Sequence, residues 1–198
     1  GSGMGAQRGI LIRKGEAIQT MKEIKTIVFD KTGTITKGKP EVTDISSFSN
    51  MKEKELLNLS ANLEKLSEHP IAKAIVNKAD LKSYKKVTGF KVLRGRGVEG
   101  KIGKDTILIG NQTLMRERKI DLGNFVKFIE RFEEDGKTTM IITKNDKILG
   151  GIAVADSVKE DSKEAIRRLN KDNYRTIMIT GDNERTAKAI AKQVGIKE

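Results

Sequence analysis

Short apolar runs in the chain alternate with segments whose apolar residues recur at helical spacing. Two of the runs, 24–29 and 176–179, are rich in isoleucine and end in polar residues. Runs of this length and composition are typical of buried strands. The second run lies between segments 158–170 and 184–194, where apolar residues repeat every three or four positions. This alternation predicts a doubly wound α/β domain with parallel strands.

Residues 38–154, between the two runs, have a different pattern. Several strand candidates are joined by turns that carry glycine, asparagine or aspartate, which predicts antiparallel hairpins. Four leucines at helical spacing predict a helix, and they are Leu56, Leu59, Leu63 and Leu66. We therefore expect an α+β domain over 38–154, built on an antiparallel sheet and inserted into an α/β domain formed by 22–37 and 155–198. Residues 1–21 would be a cloning scar, Gly1-Ser2-Gly3, followed by a linker.

The composition narrows the chemistry that the chain can perform. Its 198 residues include no cysteine and one histidine. Disulfides, thiolate metal ligands, a cysteine nucleophile and multi-histidine zinc sites are therefore excluded, whereas a carboxylate-based metal site stays open. The longest run without strongly polar residues, 148–155, is far shorter than the roughly 20 residues that a membrane-spanning helix needs.

Positive charge is concentrated in one part of the chain, which has a net charge of +12. Between Lys82 and Lys104, eight basic residues accompany a single acid, Glu99, which gives +7. Such a stretch would suit nucleic acid, an anionic membrane surface or a polyphosphate, and a solvated lysine-rich surface explains it equally well. Stacking platforms for single strands are scarce, because the chain has two tyrosines and no tryptophan. A nucleic-acid-binding module is therefore kept as an alternative, and nucleic acid is not an expected partner.

The sequence Asp30-Lys31-Thr32-Gly33-Thr34 directly follows the first strand. Open α/β sheets place their chemistry at the carboxyl ends of strands, and a carboxylate there can accept a phosphoryl group as an acyl phosphate. The glycine allows a sharp turn that directs N–H groups at phosphate oxygens. Mg²⁺ would neutralise the charge of the two anionic partners. An aspartate that only caps a turn is the alternative at this position.

This pentapeptide resembles the phosphorylation motif of P-type cation-transporting ATPases, within the haloacid-dehalogenase-like superfamily. The resemblance implies a haloacid-dehalogenase-like Rossmannoid phosphorylation domain in which Asp30 is the phosphorylated nucleophile. It also implies that Asp30 and the carbonyl of Thr32 bind Mg²⁺, and that Lys31 belongs to the catalytic motif. Thr180-Gly181-Asp182 resembles the family's second phosphate-site element, a strand end that contacts the transferred phosphoryl group.

Thr32 is the position that distinguishes an ATPase from a phosphatase of the same superfamily. Related phosphatases carry a second aspartate there, two residues after the nucleophile, which serves as general acid and then as base. A threonine cannot act as a base at neutral pH. The acyl phosphate would therefore persist, which suits a transporter that changes shape before hydrolysis. A soluble haloacid-dehalogenase-like phosphatase is the alternative.

A second group of residues lies in the inserted segment and begins with Ser67-Glu68-His69-Pro70. Pro70 can occupy the first position of a helix and so place His69 at the helix entrance, where a capping role is the common one. Two glycine elements follow, Gly95-Arg96-Gly97 and Gly110-Asn111, and each alone is a weak signal that more often marks a hairpin turn. Taken in this order, the residues resemble the nucleotide-binding domain of heavy-metal (P1B-type) ATPases.

The resemblance implies that six residues surround the adenine and the adjoining part of ATP. They are Glu64, His69, Gly95, Gly97, Gly110 and Asn111. Glu64 can accept a hydrogen bond from the adenine amino group, and His69 can stack or hydrogen-bond. The expected cofactors are ATP and Mg²⁺, and Asp156 is expected near the phosphate site.

The resemblance covers nearly all of residues 5–198 and implies a larger parent protein. Residues 6–12 resemble the segment that leads from a transmembrane helix, and the family's pattern continues beyond Glu198 to a lysine and a GDGxND motif. We therefore expect a truncated, soluble catalytic fragment from the cytoplasmic side of an integral plasma-membrane exporter of heavy metal. Its partners would be ATP and the parent's transmembrane and actuator domains, and it would not itself bind the transported ion. Glu68 favours Cu⁺ over Zn²⁺. Without the lysine and the acidic motif, the fragment would bind ATP but phosphorylate itself poorly.

Overall fold

The computed structural model describes residues 6–7, 9, 11 and 13–197. The scar and linker predicted over 1–21 fall partly outside the described residues, which do not include 1–5, 8, 10 and 12. In the rest of that segment, Gly15–Thr20 form a short helix. Within the described ranges, none of the helices is long and apolar enough to cross a bilayer.

Helices and strands are interspersed along the described residues. The helices are α1 (Gly15–Thr20), α2 (Glu53–Glu64), α3 (Pro70–Ala79), α4 (Gln112–Glu117), α5 (Phe125–Glu134), α6 (Ser162–Lys171) and α7 (Glu184–Val194). The strands are β1 (Thr26–Asp30), β2 (Thr36–Ser47), β3 (Val87–Leu93), β4 (Gly97–Ile102), β5 (Asp105–Gly110), β6 (Thr138–Lys144), β7 (Lys147–Val158) and β8 (Arg175–Ile179). A turn of π-helix, Lys31–Ile35, joins β1 to β2.

Six of the strands form an antiparallel sheet in the order β2-β7-β6-β5-β4-β3. Successive side chains of a strand point to opposite faces, and β5 shows this clearly. Ile107 and Ile109 join a buried cluster with Leu56 of α2, whereas Leu108 lies in a second cluster with Phe125 of α5. Helices therefore cover both faces of the sheet, with α2 and α3 on one side and α4 and α5 on the other.

Two hairpins of this sheet turn where the sequence predicts. β4 and β5 are joined at Gly103, which has a φ of 63°. β6 and β7 are joined at Asn145 and Asp146, with φ values of 49° and 62°. Glycine, asparagine and aspartate tolerate this left-handed conformation better than other residues.

The strands β1 and β8 form a separate parallel pair, in which Asp30 lies opposite Ile179. The helices α6 and α7 pack beside the pair. Their shared core consists of isoleucines and a valine that are nearly inaccessible to solvent: Ile35, Ile166, Ile190, Val194 and Ile196. The prediction of a parallel α/β part with an antiparallel insert is confirmed.

The chain passes between the parallel pair and the larger sheet through β2 and β7, two strands of the larger sheet that are both twelve residues long. These strands pair with each other from Thr36 opposite Val158 to Ser47 opposite Gly150. The pair spans both expected domain boundaries, at 37/38 and 154/155, with irregular register between Thr36 and Pro40 and between Val42 and Asp44. It therefore starts beside the turn that follows Asp30 and ends within the larger sheet.

Three local predictions were wrong. The strands β1 and β8, expected to be buried, are partly exposed, with Val28 at 53% and Ile179 at 55%, because they pair only with each other in a two-stranded sheet among the described residues.

The helix expected from about residue 158 begins at Ser162, because Val158 still pairs with Thr36 as the last residue of β7. Leu66, expected on the buried face of a helix, is 50% exposed, since α2 ends at Glu64. The short helix α4 was not predicted.

Candidate functional site

Asp30 ends β1 at the edge where β8 also ends. Its partner in the parallel register is Ile179, so the turn Thr180-Gly181-Asp182 begins directly beside it. The Asp30 side chain is exposed, and it does not cap the turn that follows. An accessible carboxylate at the carboxyl end of parallel strands is free to meet a ligand.

The loop after Asp30 is held in place by Asp156, not by Asp30 itself. The Thr36 hydroxyl lies 2.6 Å from Asp156 Oδ2 and 3.1 Å from the Lys31 carbonyl oxygen. The backbone N–H groups of Gly38 and Lys39 also donate to the Asp156 carboxylate, each at 3.1 Å. Asp156 thus lies close to the predicted phosphate site, and its carboxylate accepts the hydrogen bonds that fix the loop.

Gly33 gives this loop its shape. It has a φ of 78°, a left-handed conformation that a side chain would strain. Thr32, beside it, has extended dihedral angles that interrupt the helical turn and is exposed. The Lys159 ammonium group donates to the Gly33 carbonyl at 2.8 Å. The loop is therefore braced from the strand β7 side of the fold while its tip faces solvent.

A buried ion pair connects the two loops at the ends of β1 and β8. It joins Lys31 Nζ to Asp182 Oδ2, and the two side chains are 9% and 18% exposed. Thr180 Oγ1 accepts a hydrogen bond from the Asp182 N–H at 3.1 Å, which closes the turn after β8. This ion pair therefore holds the two predicted phosphate elements together.

Glu64 is the last residue of α2 and is 3% exposed. Burial raises the pKa of its carboxyl to about 7, because the charged form loses solvation. Burial of a carboxyl in this way is costly unless a partner compensates for it. The residue thus presents a carboxyl that holds its proton at higher pH than an ordinary glutamate does.

His69 caps the next helix, as the alternative interpretation of this residue predicts. Its Nδ1 accepts a hydrogen bond from the Ile71 N–H at 3.2 Å, and Pro70 takes the first helical position. An accepting Nδ1 in a neutral imidazole leaves the proton on Nε2. The cap therefore uses one side of the ring and leaves an N–H donor on the other, exposed side.

The two glycine elements meet across a strand pair. Gly97 lies opposite Gly110 in the β4–β5 register. A Cβ at Gly97 would lie 2.0 Å from the Ile109 carbonyl oxygen, and a Cβ at Gly110 would lie 2.5 Å from the Arg96 carbonyl oxygen. Only glycine fits at either position, because the backbones approach too closely for any side chain.

Asn111 fastens this arrangement from the start of α4. Its Nδ2 donates to the Gly95 carbonyl at 3.0 Å, and its Oδ1 accepts from the Leu114 N–H at 3.0 Å. The backbone N–H of Asn111 donates to the Arg96 carbonyl at 2.9 Å. The Gly95–Gly97 turn is thus held rigidly against the end of β5.

A cavity of about 590 Å³ lies between the antiparallel sheet and the turn after β8, a volume typical of small-molecule sites. Its lining includes most of the predicted nucleotide positions and part of the second phosphate element: Glu64, His69, Gly95, Gly97, Asn111, Gly181 and Asp182. Other predicted residues are not part of the lining described: Gly110, Asp30, Lys31, Thr32 and Thr180. The structure therefore brings the two halves of the predicted site to one cavity, and Asp30 pairs with Ile179, which precedes the turn that lines it.

Four polar residues at this cavity were missed by sequence reasoning. Glu133 is 5% exposed, and its carboxylate accepts hydrogen bonds from Gln112, Asn183 and Arg185. These partners lie 21, 50 and 52 positions away in the chain. No local pattern links residues so far apart, so their meeting could not be read from the sequence.

The basic stretch 82–104 is largely separate from the cavity. Of its eight basic residues, only Arg96 is among the lining residues described. The stretch includes β3, which is an edge strand of the antiparallel sheet. Its lysines are exposed, which agrees with a solvated surface.

The described residues contain no group of three or more histidine or acidic side chains that could hold a metal ion by themselves. Mg²⁺ differs from other metals in this respect, because it commonly binds one or two carboxylates together with the phosphates of a substrate. The exposed Asp30 carboxylate and the backbone oxygens of its loop are hard donors of that kind. The residues present fit a Mg²⁺ ion shared with a phosphate ligand.

Comparison with known families agrees with this geometry. Residues 24–198 match the model of the haloacid dehalogenase-like hydrolases. The chain therefore belongs to this family, whose fold the sequence predicts.

Individual relatives narrow the class further. The chain is 45% identical over 202 residues to a copper-exporting P-type ATPase of Staphylococcus haemolyticus, and 41% identical over 199 residues to a copper-transporting P-type ATPase of Rhizobium leguminosarum bv. viciae. Each match covers 100% of this chain and 24% of the relative, so the chain spans about a quarter of their length. The predicted resemblance to heavy-metal P-type ATPases is confirmed.

Solved structures give the same result. A zinc-transporting PIB-type ATPase is similar with a TM-score of 0.71 and 34% identity, over 98% of this chain and 32% of the other. The catalytic domain of the CPx-ATPase CopB-B is similar with a TM-score of 0.69 and 27% identity, over 100% of this chain and 68% of the other. The similarity thus extends across both sheets.

Proposed function

We propose that the chain is the ATP-binding and phosphoryl-accepting unit of a heavy-metal-transporting P-type ATPase. Residues 38–154 would form the nucleotide-binding domain, and residues 22–37 with 155–198 the phosphorylation domain. The observation that carries the proposal is the cavity, which Glu64 and His69 line at one side and Gly181 and Asp182 at the other. A ligand that must contact an adenine pocket and a phosphate site at once is a nucleotide.

Each predicted nucleotide contact has a feature that supports its role. The buried Glu64 carboxyl can take a hydrogen bond from the adenine amino group, which would compensate for its lost solvation. The free Nε2–H of His69 can donate to the nucleotide or its ring can stack. Gly95 and Gly97 let the backbone come close to a flat ring.

Asp30 would accept the γ-phosphoryl group of ATP. A carboxylate oxygen would form a bond to the γ-phosphorus, the bond from that phosphorus to the β–γ bridging oxygen would break, and ADP would leave with the electron pair. Its support is the accessible carboxylate beside the Thr180–Asp182 turn. Mg²⁺, held by Asp30 and the Thr32 carbonyl, would supply charge neutralisation at the phosphates.

The parent protein would export copper. The relatives at 41% and 45% identity carry names of copper transporters, whereas the zinc-transporting structure is 34% identical. The unit would then work at the cytoplasmic side of a membrane, with the parent's transmembrane and actuator domains as partners. A phosphatase is the weaker alternative, because Thr32 stands where a phosphatase needs a second acid.

Calorimetric titration of Mg·ATP into this chain tests the proposal. We expect saturable binding that His69→Asn weakens at least fivefold, since asparagine keeps the helix cap but lacks the ring. Lys73→Ala is the matched control, because Lys73 lies exposed on the same helix α3, where it pairs with Glu68. It should bind ATP as the unchanged chain does.

Two results would overturn the proposal, and a third would favour the phosphatase. Absence of ATP binding by the unchanged chain, or equal affinities of the His69→Asn and unchanged chains, would remove the cavity from nucleotide recognition. Rapid hydrolysis of p-nitrophenyl phosphate without ATP binding would instead support the phosphatase.

A further inference from the structure

The Glu133 carboxylate joins the two parts of the fold at the rim of the cavity. Its Oε1 accepts from Gln112 Nε2 at 3.1 Å, and Gln112 belongs to α4 beside the antiparallel sheet. The same oxygen accepts from Asn183 Nδ2 at 3.1 Å, and Oε2 accepts from Arg185 at 3.3 Å. Asn183 directly precedes α7 and Arg185 lies in its first turn, so both donors are on the side of the parallel pair.

Arg185 is far more exposed than the carboxylate it pairs with. Its side chain is 49% exposed, whereas that of Glu133 is 7% exposed. One of its terminal nitrogens pairs with Glu133, and the other lies 2.8 Å from Glu130 Oε1. The guanidinium group is therefore shared between two carboxylates of α5 at the edge of the cavity.

The charges along this wall leave one cation for an anionic ligand. The segment 181–185 lines the cavity and contains two acids, Asp182 and Glu184, and one base, Arg185. Lys31 is committed to the buried pair with Asp182. Arg96 and Arg116 line the cavity from the other part of the fold, but a polyphosphate passing along the 181–185 segment would meet only carboxylate charges there if Arg185 did not turn toward it.

A guanidinium group can exchange carboxylate hydrogen-bond partners for phosphate partners. Its planar array of N–H donors fits phosphate oxygens as well as carboxylate oxygens, in both cases through paired hydrogen bonds. Partly exposed ion pairs such as Arg185–Glu130 contribute little net free energy. A ligand with several negative charges can therefore compete for the group.

We propose that Arg185 contacts the polyphosphate of the bound nucleotide, and that Glu130 and Glu133 hold it at the rim while the cavity is empty. This inference rests on the proposed function and adds a contact residue to it. Arg185 is thus a determinant of preference for the phosphorylated nucleotide over the nucleoside. Glu133 is the positioning residue that keeps the guanidinium group at the cavity.

The test compares ATP with adenosine, which shares the ring and sugar but has no phosphate. Calorimetry is run with Mg²⁺ on the unchanged chain, Arg185→Gln and Glu130→Gln. Arg185→Gln should weaken ATP binding about tenfold, because a charge-assisted contact is lost, and leave adenosine binding unchanged. Glu130→Gln removes a competitor for Arg185 and should raise ATP affinity about twofold, again without an effect on adenosine.

Arg167→Gln is the matched control. Arg167 is an exposed arginine on α6 whose guanidinium group pairs with Glu164, so its loss changes the net charge by the same amount and also breaks one ion pair. ATP and adenosine should bind this variant as they bind the unchanged chain. An equal loss of ATP affinity in both arginine variants would overturn the proposal, because it would report overall charge.

Two further results would overturn it. If Arg185→Gln weakened adenosine and ATP equally, the residue would only hold the two parts of the fold together. If Arg185→Gln left both affinities unchanged, the residue would not contact the ligand. These results leave the proposed function intact, whereas failure of the unchanged chain to bind ATP would refute both.

Discussion

The most demanding prediction concerns the protonation of Glu64 in the cavity lining. Replacing it by glutamine keeps the shape of the side chain and removes its ionisation. The residue is 3% exposed, and burial raises the pKa of its carboxyl from the ordinary 4.5 to about 7. The folded chain therefore binds a proton at this group more tightly than the unfolded chain does.

The size of the effect follows from linkage. Between about pH 4.5 and 7 the folded state holds more protons at Glu64, so its contribution to the free energy of unfolding falls as the pH rises. A tenfold change in an acid constant corresponds to about 1.4 kcal/mol. The contribution is fully present below pH 4.5, and about 3 kcal/mol of it is lost once the pH exceeds 7.

Urea unfolding of the unchanged chain and of Glu64→Gln, from about pH 4.5 to 8.5, measures this loss. The difference between the two free energies of unfolding isolates Glu64, because every other titrating group is common to both. Surface carboxyls such as Glu164, whose pKa the hydrogen bond from Arg167 lowers to about 2, also change protonation at lower pH. A difference that stays constant within about 0.5 kcal/mol across this range would refute a desolvated carboxyl at Glu64.

Three other predictions follow from single contacts. Asp30→Asn should keep or raise ATP affinity, because a charge facing the γ-phosphate is removed, and a large loss in calorimetry would mean that Asp30 is misassigned. Gly97→Ala should destabilise the fold by about 3 kcal/mol or more in urea unfolding, because its Cβ would lie 2.0 Å from the Ile109 carbonyl oxygen, and an unaltered midpoint would contradict that approach. Lys31→Met should cost about 3 kcal/mol in thermal unfolding, since it leaves Asp182 buried without its partner, and a neutral outcome would show that the pair is solvated.

Local pattern predicts much of this fold. The hairpin at Gly103 and the helix that starts at Pro70 both follow from residues with strong conformational preferences. The start of α6 could not be read in this way, because Val158 is kept in a strand by its distant partner Thr36. Tertiary pairing overrides local preference at such positions.

The residues of the candidate site also divide into those with a local sequence signal and those that depend on distant partners. His69 and Asn111 stand out in the sequence, and in the structure both also cap helices. The start of α4 could have been predicted from Asn111 as a capping residue. Glu133 gives no such signal, because a lone glutamate in an amphipathic helix is normally solvated. Its role depends on donors from two other helices, which only the folded chain brings to it.

The β2–β7 pair has a mechanical consequence for Asp30, the proposed phosphoryl acceptor. At its root, Thr36 is bonded to Asp156 and lies against the Lys31 carbonyl, one residue from Asp30. A rotation of the large sheet relative to the parallel pair would twist these two strands, because the chain passes between the two parts through them. We expect that twist to reach the peptide units beside Asp30 through the contact of Thr36 with the Lys31 carbonyl. The orientation of the large sheet and the orientation of the Asp30 carboxylate would then be geometrically linked.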